Sequence, residues 1–285
     1  MKVKIAYIDE PPFYWTGPDG SVTGSDIELA DVVLRAIGVT SIEHHLTSFE
    51  EFLPGVHEGR WDMNVPIFVT AERAEHVAFS VPVWALGDGF VVHDGNPKTL
   101  TSYRAVAERN DARLGIVTGQ VQLNSAKLAG VRDDQIVMFK DQPEAVAALL
   151  AGKIDAFAGT AVGNRVVASA NKELEAVAHA MSKETGAPVG AFSFNKDNTA
   201  LLQAVNEQLR KYLGSADHRA RMPPALAELM ALPSRFSAML CSVTLAATHA
   251  PWRALHPASI RPCLRRGRCP VYPRPCHQQS ARSFG

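Results

Sequence analysis

The chain has 285 residues, enough for two lobes of ordinary domain size, and a formal net charge of zero at neutral pH. That zero hides an asymmetry: from Pro223 onward eight arginines face one acidic residue, Glu228, so the tail carries +7 and the first 222 residues carry −7. The body is cysteine-free and mildly acidic, which gives no reason to expect binding to nucleic acid or a membrane surface, and no apolar run is long enough for a transmembrane helix.

In chain order, the residues read as alternating strands and helices. Val3 to Ile8 is a strand running into an aromatic loop, D-E-P-P-F-Y-W, and P-D-G at Pro18 to Gly20 turns a small hairpin. Ser25-x-x-Glu28 is a capping box opening a helix with Ile27, Ala30, Val33, Leu34 and Ile37 on one face, ended by Gly38. A strand follows near Ile42 to Leu46, then a second capping signal, Ser48-x-x-Glu51, on a helix ending at Gly59. Gly87 to His93 is a strand and Asp94 to Pro97 a turn.

Beyond that turn the pattern restarts. Helices are expected over Ser102–Arg109, from Gly119 and over Pro143–Leu150, with strands over Leu114–Val117, Gln135–Phe139 and Asp155–Ala158. Val189 to Asn195 is extended, and Asn198 to Leu213 is an amphipathic helix. The alternation predicts an α/β protein with mostly parallel sheets covered by helices, binding ligand at the carboxyl ends of strands. Met1-Lys2 leads directly into a strand, so no signal peptide is visible; either the protein is cytoplasmic or a leader is missing.

The stretch Gly59 to Ser80 organises the rest. A buried strand over Trp61–Phe68 runs into Thr70, which has the chemistry of an N-cap, with Glu72 and Arg73 in the first turn. Arg73 offers a planar fork suited to a carboxylate, and Phe68 lies at the same strand end. This pairing suggests a small zwitterion held between an arginine and aromatic faces; a solvated arginine and a core phenylalanine would read the same way.

P-P-F at Pro11 to Phe13, D-G-S-V-T-G-S-D-I-E-L-A at Asp19 to Ala30, W-D at Trp61-Asp62, V-T-A-E-R at Val69 to Arg73, A-F-S at Ala78 to Ser80 and G-K-I-D-A at Gly152 to Ala156 come in a familiar order. From about residue 3 to 222 the chain resembles the type-3 extracellular solute-binding proteins of ABC importers, polar amino-acid group. The resemblance implies a two-lobe periplasmic-binding-protein fold of type II with ligand in the interlobe cleft. Lobe one would be residues 1–91 plus 191–222 and lobe two 92–190, with hinges near Val91–His93 and Ala191–Phe194. It also implies a monomer outside the cytoplasm, periplasmic or extracellular, a transporter permease as partner, no cofactor and no catalysis.

Two departures carry the solute information. Where amino-acid binders of the family place Ser or Thr, this chain has Phe68; where they often place an Asp for the ligand ammonium, it has Thr160. With Arg73 retained, the combination resembles the ectoine/hydroxyectoine-binding subgroup. The expected cage is Phe13, Phe49 and Phe68 around a flat amidinium, with Glu10 accepting its N–H groups and Arg73 taking the carboxylate. Tyr14 and Trp15 are rival wall residues. From lobe two, backbone N–H groups of Gly119, Gln120 and Val121 at a helix start would complete the carboxylate site, and Thr160 would donate a hydroxyl.

The alternatives are a polar amino-acid or opine binder and a cyclohexadienyl-dehydratase-like enzyme, for which only Glu10 qualifies as proton donor. His44-His45 lies in a strand and points to opposite faces, and the tail spacing C-x5-C-x6-C matches no common zinc pattern, so no metal site is expected. The tail over 223–285 resembles a GC-rich gene read out of frame near codon 222 and is expected to be disordered, apart from a helical turn or two over 225–232.

Overall fold

The computed structural model describes residues 1–180 and 187–221; the expectations for the arginine-rich tail lie outside these residues. Two sheets form the framework. The first runs in the order β4 (Ser41–Leu46), β1 (Lys2–Tyr7), β5 (Met63–Phe68), β13 (Val189–Phe194), β6 (Ala78–Phe79), with β7 (Trp84–Ala85) also pairing with β13. The second runs β10 (Ile136–Phe139), β9 (Leu114–Val117), β11 (Ala156–Thr160), β8 (Asp88–His93), β12 (Leu174–Ala178). The Pro18–Gly20 turn closes a hairpin of β2 (Trp15–Thr16) and β3 (Val22–Thr23), as expected.

The sheets are less parallel than the sequence suggested. β1 pairs in parallel with β4 and β5, and β9 with β10 and β11. β8 and β13 run antiparallel to their neighbours. These are the strands next to the two connections between the sheets. The outward connection is Leu86–Gly87, and the return follows Ala178 and precedes Val189. The outward connection lies beside Pro188, with the Leu86 N–H donating to the Pro188 carbonyl at 2.9 Å. The sequence boundaries near Val91–His93 and Ala191–Phe194 therefore fall inside strands already committed to one sheet. An apolar extended run reads alike on both sides of a crossing.

The central strands β5, β9 and β11 are buried on both faces, which is why they read as continuous apolar runs rather than alternating ones. Along β8, Phe90 and Val92 join Ala156 and Ala158 in one cluster, while Val91 joins Phe157 in another. The first-lobe core gathers Ile5, Met63, Phe52, Phe192 and Phe194 in one cluster with Leu34 of α1 (Ser25–Ala36) and Leu209 of α8 (Thr199–Tyr212). Asn64 crosses this apolar layer. Its amide donates to the Phe52 carbonyl (3.1 Å) and Ser193 Oγ (2.8 Å), and its oxygen accepts from Trp61 Nε1 (2.5 Å). Asn64→Ala leaves these buried groups unpaired, an expected loss of about 1–3 kcal/mol. Thermal unfolding should register it as a lowered Tm; an unchanged Tm would mean that the network is not a structural tie.

Several local readings change. Neither capping box forms: α1 is capped by Gly24, and Ser48 precedes a single 3₁₀ turn, Phe49–Glu51, before α2 (Phe52–His57), without side-chain capping bonds. α7 (Ala161–Ala170) and β12 were not expected from the sequence. By contrast Thr70 does cap α3 (Ala71–Ala74), its Oγ1 accepting the Arg73 backbone N–H at 3.1 Å.

Candidate ligand-binding cleft

The sheets present their loops to a common cleft of about 350 Å³, counted out to its open mouth. Its lining includes eight of the nine residues expected from the sequence: Glu10, Phe13, Phe49, Phe68, Arg73, Gln120, Val121 and Thr160. Gly119, the ninth, lies at the edge of the site and contacts Arg73 through its carbonyl. Tyr14 and Trp84 also line it; Trp15, the other rival wall residue, does not.

Arg73 is placed by the Thr70 cap and is 7% exposed. Its Nη1 donates to the Phe68 carbonyl (2.8 Å) and its Nη2 to the Gly119 carbonyl (2.9 Å), so it links the two lobes. A guanidinium has five N–H donors, and these bonds occupy two. No carboxylate of the described residues pairs with it, and burial lowers its pKa to about 10.

Glu10 is the opposite charge. It is also 7% exposed, and burial raises its pKa to about 7 against the opposing hydrogen bonds from Tyr14 and Gln120. Tyr14 Oη–H and Gln120 Nε2–H both point at its Oε2, at 3.4 and 3.3 Å. Among the described residues no cation pairs with this carboxylate. The cleft thus holds a buried cation and a buried anion, each with unused hydrogen-bonding capacity and neither neutralised by the protein.

The aromatic residues divide between these poles differently from the expectation. The Phe49 ring lies against Arg73, 5.0 Å from Cζ to centroid, and so belongs to the guanidinium end. At the other end Trp84 stands between Phe13 (6.1 Å, 39°) and Phe68 (5.1 Å, 85°). Asp26, 3% exposed, sits behind Trp84 and accepts its indole N–H at 3.1 Å. It is a second buried acid near the site, which the capping-box reading of that segment hid. Burial, augmented by the charge of Glu10, raises its pKa to about 7.

The lobe-two assignments change in kind. α5 (Gln122–Leu128) starts after the expected residues, and the Gln120 N–H is taken by the Val117 carbonyl at 3.2 Å. Gly119, at φ +84°, turns its carbonyl to Arg73, and a Cβ there would come within 3.0 Å of the Phe49 ring. Gln120 works through its side chain on Glu10, and Val121 gives an apolar wall. Thr160 caps α7, accepting the Gly163 N–H at 3.1 Å, which leaves its own hydroxyl proton available to the cleft.

Comparison with known proteins places this architecture. Residues 3–217 match the bacterial extracellular solute-binding proteins, family 3. The probable amino-acid ABC transporter periplasmic-binding protein y4tE of Sinorhizobium fredii (strain NBRC 101917 / NGR234) is 28% identical over 253 residues, 84% of this chain and 83% of that one. A match of that extent reaches past Met222, so likeness to this relative continues into the segment expected to have lost it. The L-cystine-binding protein TcyJ of Escherichia coli (strain K12) is 24% identical over 201 residues, 70% of this chain and 72% of that one. Among solved structures, EhuB in complex with hydroxyectoine superposes with a TM-score of 0.72 at 27% identity, covering 79% of this chain and 88% of that one. With both sheets, the interlobe cleft and most of the chain accounted for, the protein belongs to the bacterial extracellular solute-binding proteins of family 3.

Proposed function

We propose that the protein is the solute-capturing component of an ABC importer and that its solute is ectoine or hydroxyectoine. The lobes would be residues 1–86 with 188–221, and residues 88–178, acting without catalysis outside the cytoplasm and handing solute to a membrane permease. The observation that carries the solute assignment is the pair of unneutralised buried charges, Arg73 and Glu10, with aromatic rings around the anionic end. A zwitterion with a carboxylate and a flat, delocalised cation satisfies both. Arg73 would hold the carboxylate as a fork, and Glu10 would accept amidinium N–H groups beside Phe13 and Phe68, each cation–π contact contributing roughly 0.5–2 kcal/mol. The Thr160 hydroxyl proton would serve the second-lobe side.

A thermal-shift panel of ectoine, hydroxyectoine, L-arginine, L-glutamine and L-cystine tests the assignment. Ectoine or hydroxyectoine should raise Tm at lower concentration than any amino acid, since ligand binding only to the folded state stabilises it. A response to an amino acid alone replaces this solute with an amino acid. The relatives named for amino acids favour that second reading; Phe68 and Thr160 oppose it, because neither offers an anion to a free ammonium. A buried acid with a pKa near 7 is also what a dehydratase would use as proton donor. Incubation with prephenate or arogenate should yield no aromatic product.

The bonds from Arg73 to Gly119 and from Gln120 to Glu10 join the lobes across the cleft. Ligand should favour this arrangement, with the paired connections at Leu86–Gly87 and Pro188 as hinge. Small-angle scattering is expected to show a smaller radius of gyration at saturating solute. An unchanged radius excludes closure on binding.

A further inference from the structure

Trp84 reaches the site by a route the local sequence does not show. As part of β7 it pairs with Gly190 on β13, immediately beside the connections between the lobes. The indole fills a slot that only glycine leaves open: a Cβ at Gly190 would come within 2.0 Å of the ring. Its remaining surface is half-buried and lines the cleft. Phe68 meets it edge-on and Phe13 at a tilt, so its plane fixes how the other two rings face the solute.

Asp26 controls that plane. Its Oδ2 accepts the indole N–H at 3.1 Å, while its Oδ1 receives the Ser25 hydroxyl at 3.5 Å. The same first turn of α1 is tied to the other wall. Ser25 N–H donates to the Pro12 carbonyl (3.0 Å) and Asp26 N–H to the Phe13 carbonyl (2.9 Å). Gly24 permits this approach, since a Cβ there, at φ +126°, would lie 2.3 Å from the Phe13 carbonyl oxygen. One residue therefore registers Trp84 through its side chain and Phe13 through its backbone.

We propose that Trp84 is the third aromatic wall of the solute site and that Asp26 is its positioning residue, holding the indole in register with Phe13 and Phe68. The proposal rests on the reading of the cleft as a cation-binding cage; Phe49, which also lines the cleft, packs against the guanidinium. Indole is the strongest of the aromatic partners for a cation. The ionisable groups acting on Asp26 are Glu10 and Tyr14. A buried carboxylate that gains or loses charge near neutrality changes the shielding of the indole proton it accepts, which gives the link a signature independent of any solute.

Two measurements decide it. In ¹⁵N-labelled protein, the indole resonance of Trp84, assigned by its loss in Trp84→Phe, should shift between pH 5 and 9 in the wild type. In Asp26→Asn, where the acceptor is retained but not the charge, the shift should be much reduced. A resonance that ignores pH, or titrates equally in both proteins, overturns the link. For affinity, ectoine and L-arginine are titrated by calorimetry. Trp84→Ala should weaken whichever binds the wild type at least tenfold, and Trp84→Phe, which keeps a packed ring, should weaken it less. Asp26→Ala should weaken it comparably to Trp84→Phe, and Asp26→Asn should restore most of the loss. Affinity within twofold of wild type in both Trp84 variants overturns the wall assignment. If neither solute binds the wild type, the ectoine reading fails, and the resonance alone decides whether Asp26 holds Trp84.

Discussion

Arg73→Ala is expected to weaken ectoine binding by about 2–5 kcal/mol, on the order of 30-fold to several thousand-fold. Among the described residues, the substitution removes the only buried cation of the cleft lining while Glu10 remains, so the solute carboxylate would be buried unpaired in a site of net negative charge. It also removes the side-chain bonds to Phe68 and Gly119, the second of which crosses the cleft. Folding should change far less. The Thr70 cap uses the Arg73 backbone N–H, which alanine keeps, and loss of a desolvated cation without a carboxylate partner relieves a penalty of its own. Arg73→Lys should fall between, because an ammonium supplies charge without the two-pronged geometry. Calorimetric titration, with unliganded Tm as folding control, measures this. Affinity within threefold of wild type in Arg73→Ala would place the solute carboxylate elsewhere.

The parts of this site legible in the sequence are those built by adjacent residues. Phe68, Thr70 and Arg73 are a strand end, a cap and a first helical turn, and short-range rules suffice to bring them together. Glu10 and Phe13 share one loop and follow the same logic. What failed depended on backbone direction or distant pairing. Gly119 was legible as a break, but its positive φ turns a carbonyl, not an N–H, toward the site. Trp84 enters only because β7 pairs with β13, which lies beyond the whole second lobe in the sequence. Asp26 was absorbed into a capping motif that its helix does not use. α7 was missed for another reason: A-V-G-N-R-V-V-A-S-A contains glycine and three valines, all weaker helix formers than alanine. Packing beside β8 and β12 and the Thr160 cap override that propensity.

The aromatic assignment shows how composition and placement separate. Three phenylalanines, one at a strand end, one in a loop and one at a helix start, predicted one cage, and residue type could not distinguish a ring that would hold the solute from a ring that steadies the arginine. Phe49 lies against Arg73 and also lines the cleft, so the two tasks meet in one ring. The Phe49 ring and the bonds to the Phe68 and Gly119 carbonyls confine the guanidinium, so the carboxylate would meet a pre-oriented fork with less side-chain freedom left to lose. Phe49 and Gly119 thus contact Arg73, while Tyr14 and Gln120 meet Glu10.

Glu10→Gln should separate binding from stability in opposite directions. The Glu10 carboxyl has its pKa raised from 4.5 to about 7, mainly by burial. A raised folded-state value means that the folded protein binds this proton more tightly than the unfolded chain. The resulting stabilisation is complete below pH 4.5 and disappears as pH rises through about 7. At pH 8 the ionised carboxylate should leave the unliganded protein about 3 kcal/mol less stable, from this group, than at pH 4. Glutamine keeps an acceptor for Tyr14 and Gln120 but carries no charge, so Glu10→Gln should melt higher than wild type at pH 8, with the difference shrinking toward pH 4. Ectoine affinity should respond in the reverse sense. The amidinium requires the ionised form of Glu10, so wild-type affinity should rise by up to tenfold per pH unit below about 7 and level off above it. Glu10→Gln should bind weakly and lose most of this slope; any slope that remains belongs to Asp26, the other carboxylate with a pKa near 7 in this part of the cleft. Melting curves and calorimetric titrations from pH 5 to 8.5 measure both effects. A variant that melts no higher than wild type at pH 8 while binding ectoine with the same pH dependence would remove Glu10 as the anionic pole of the site.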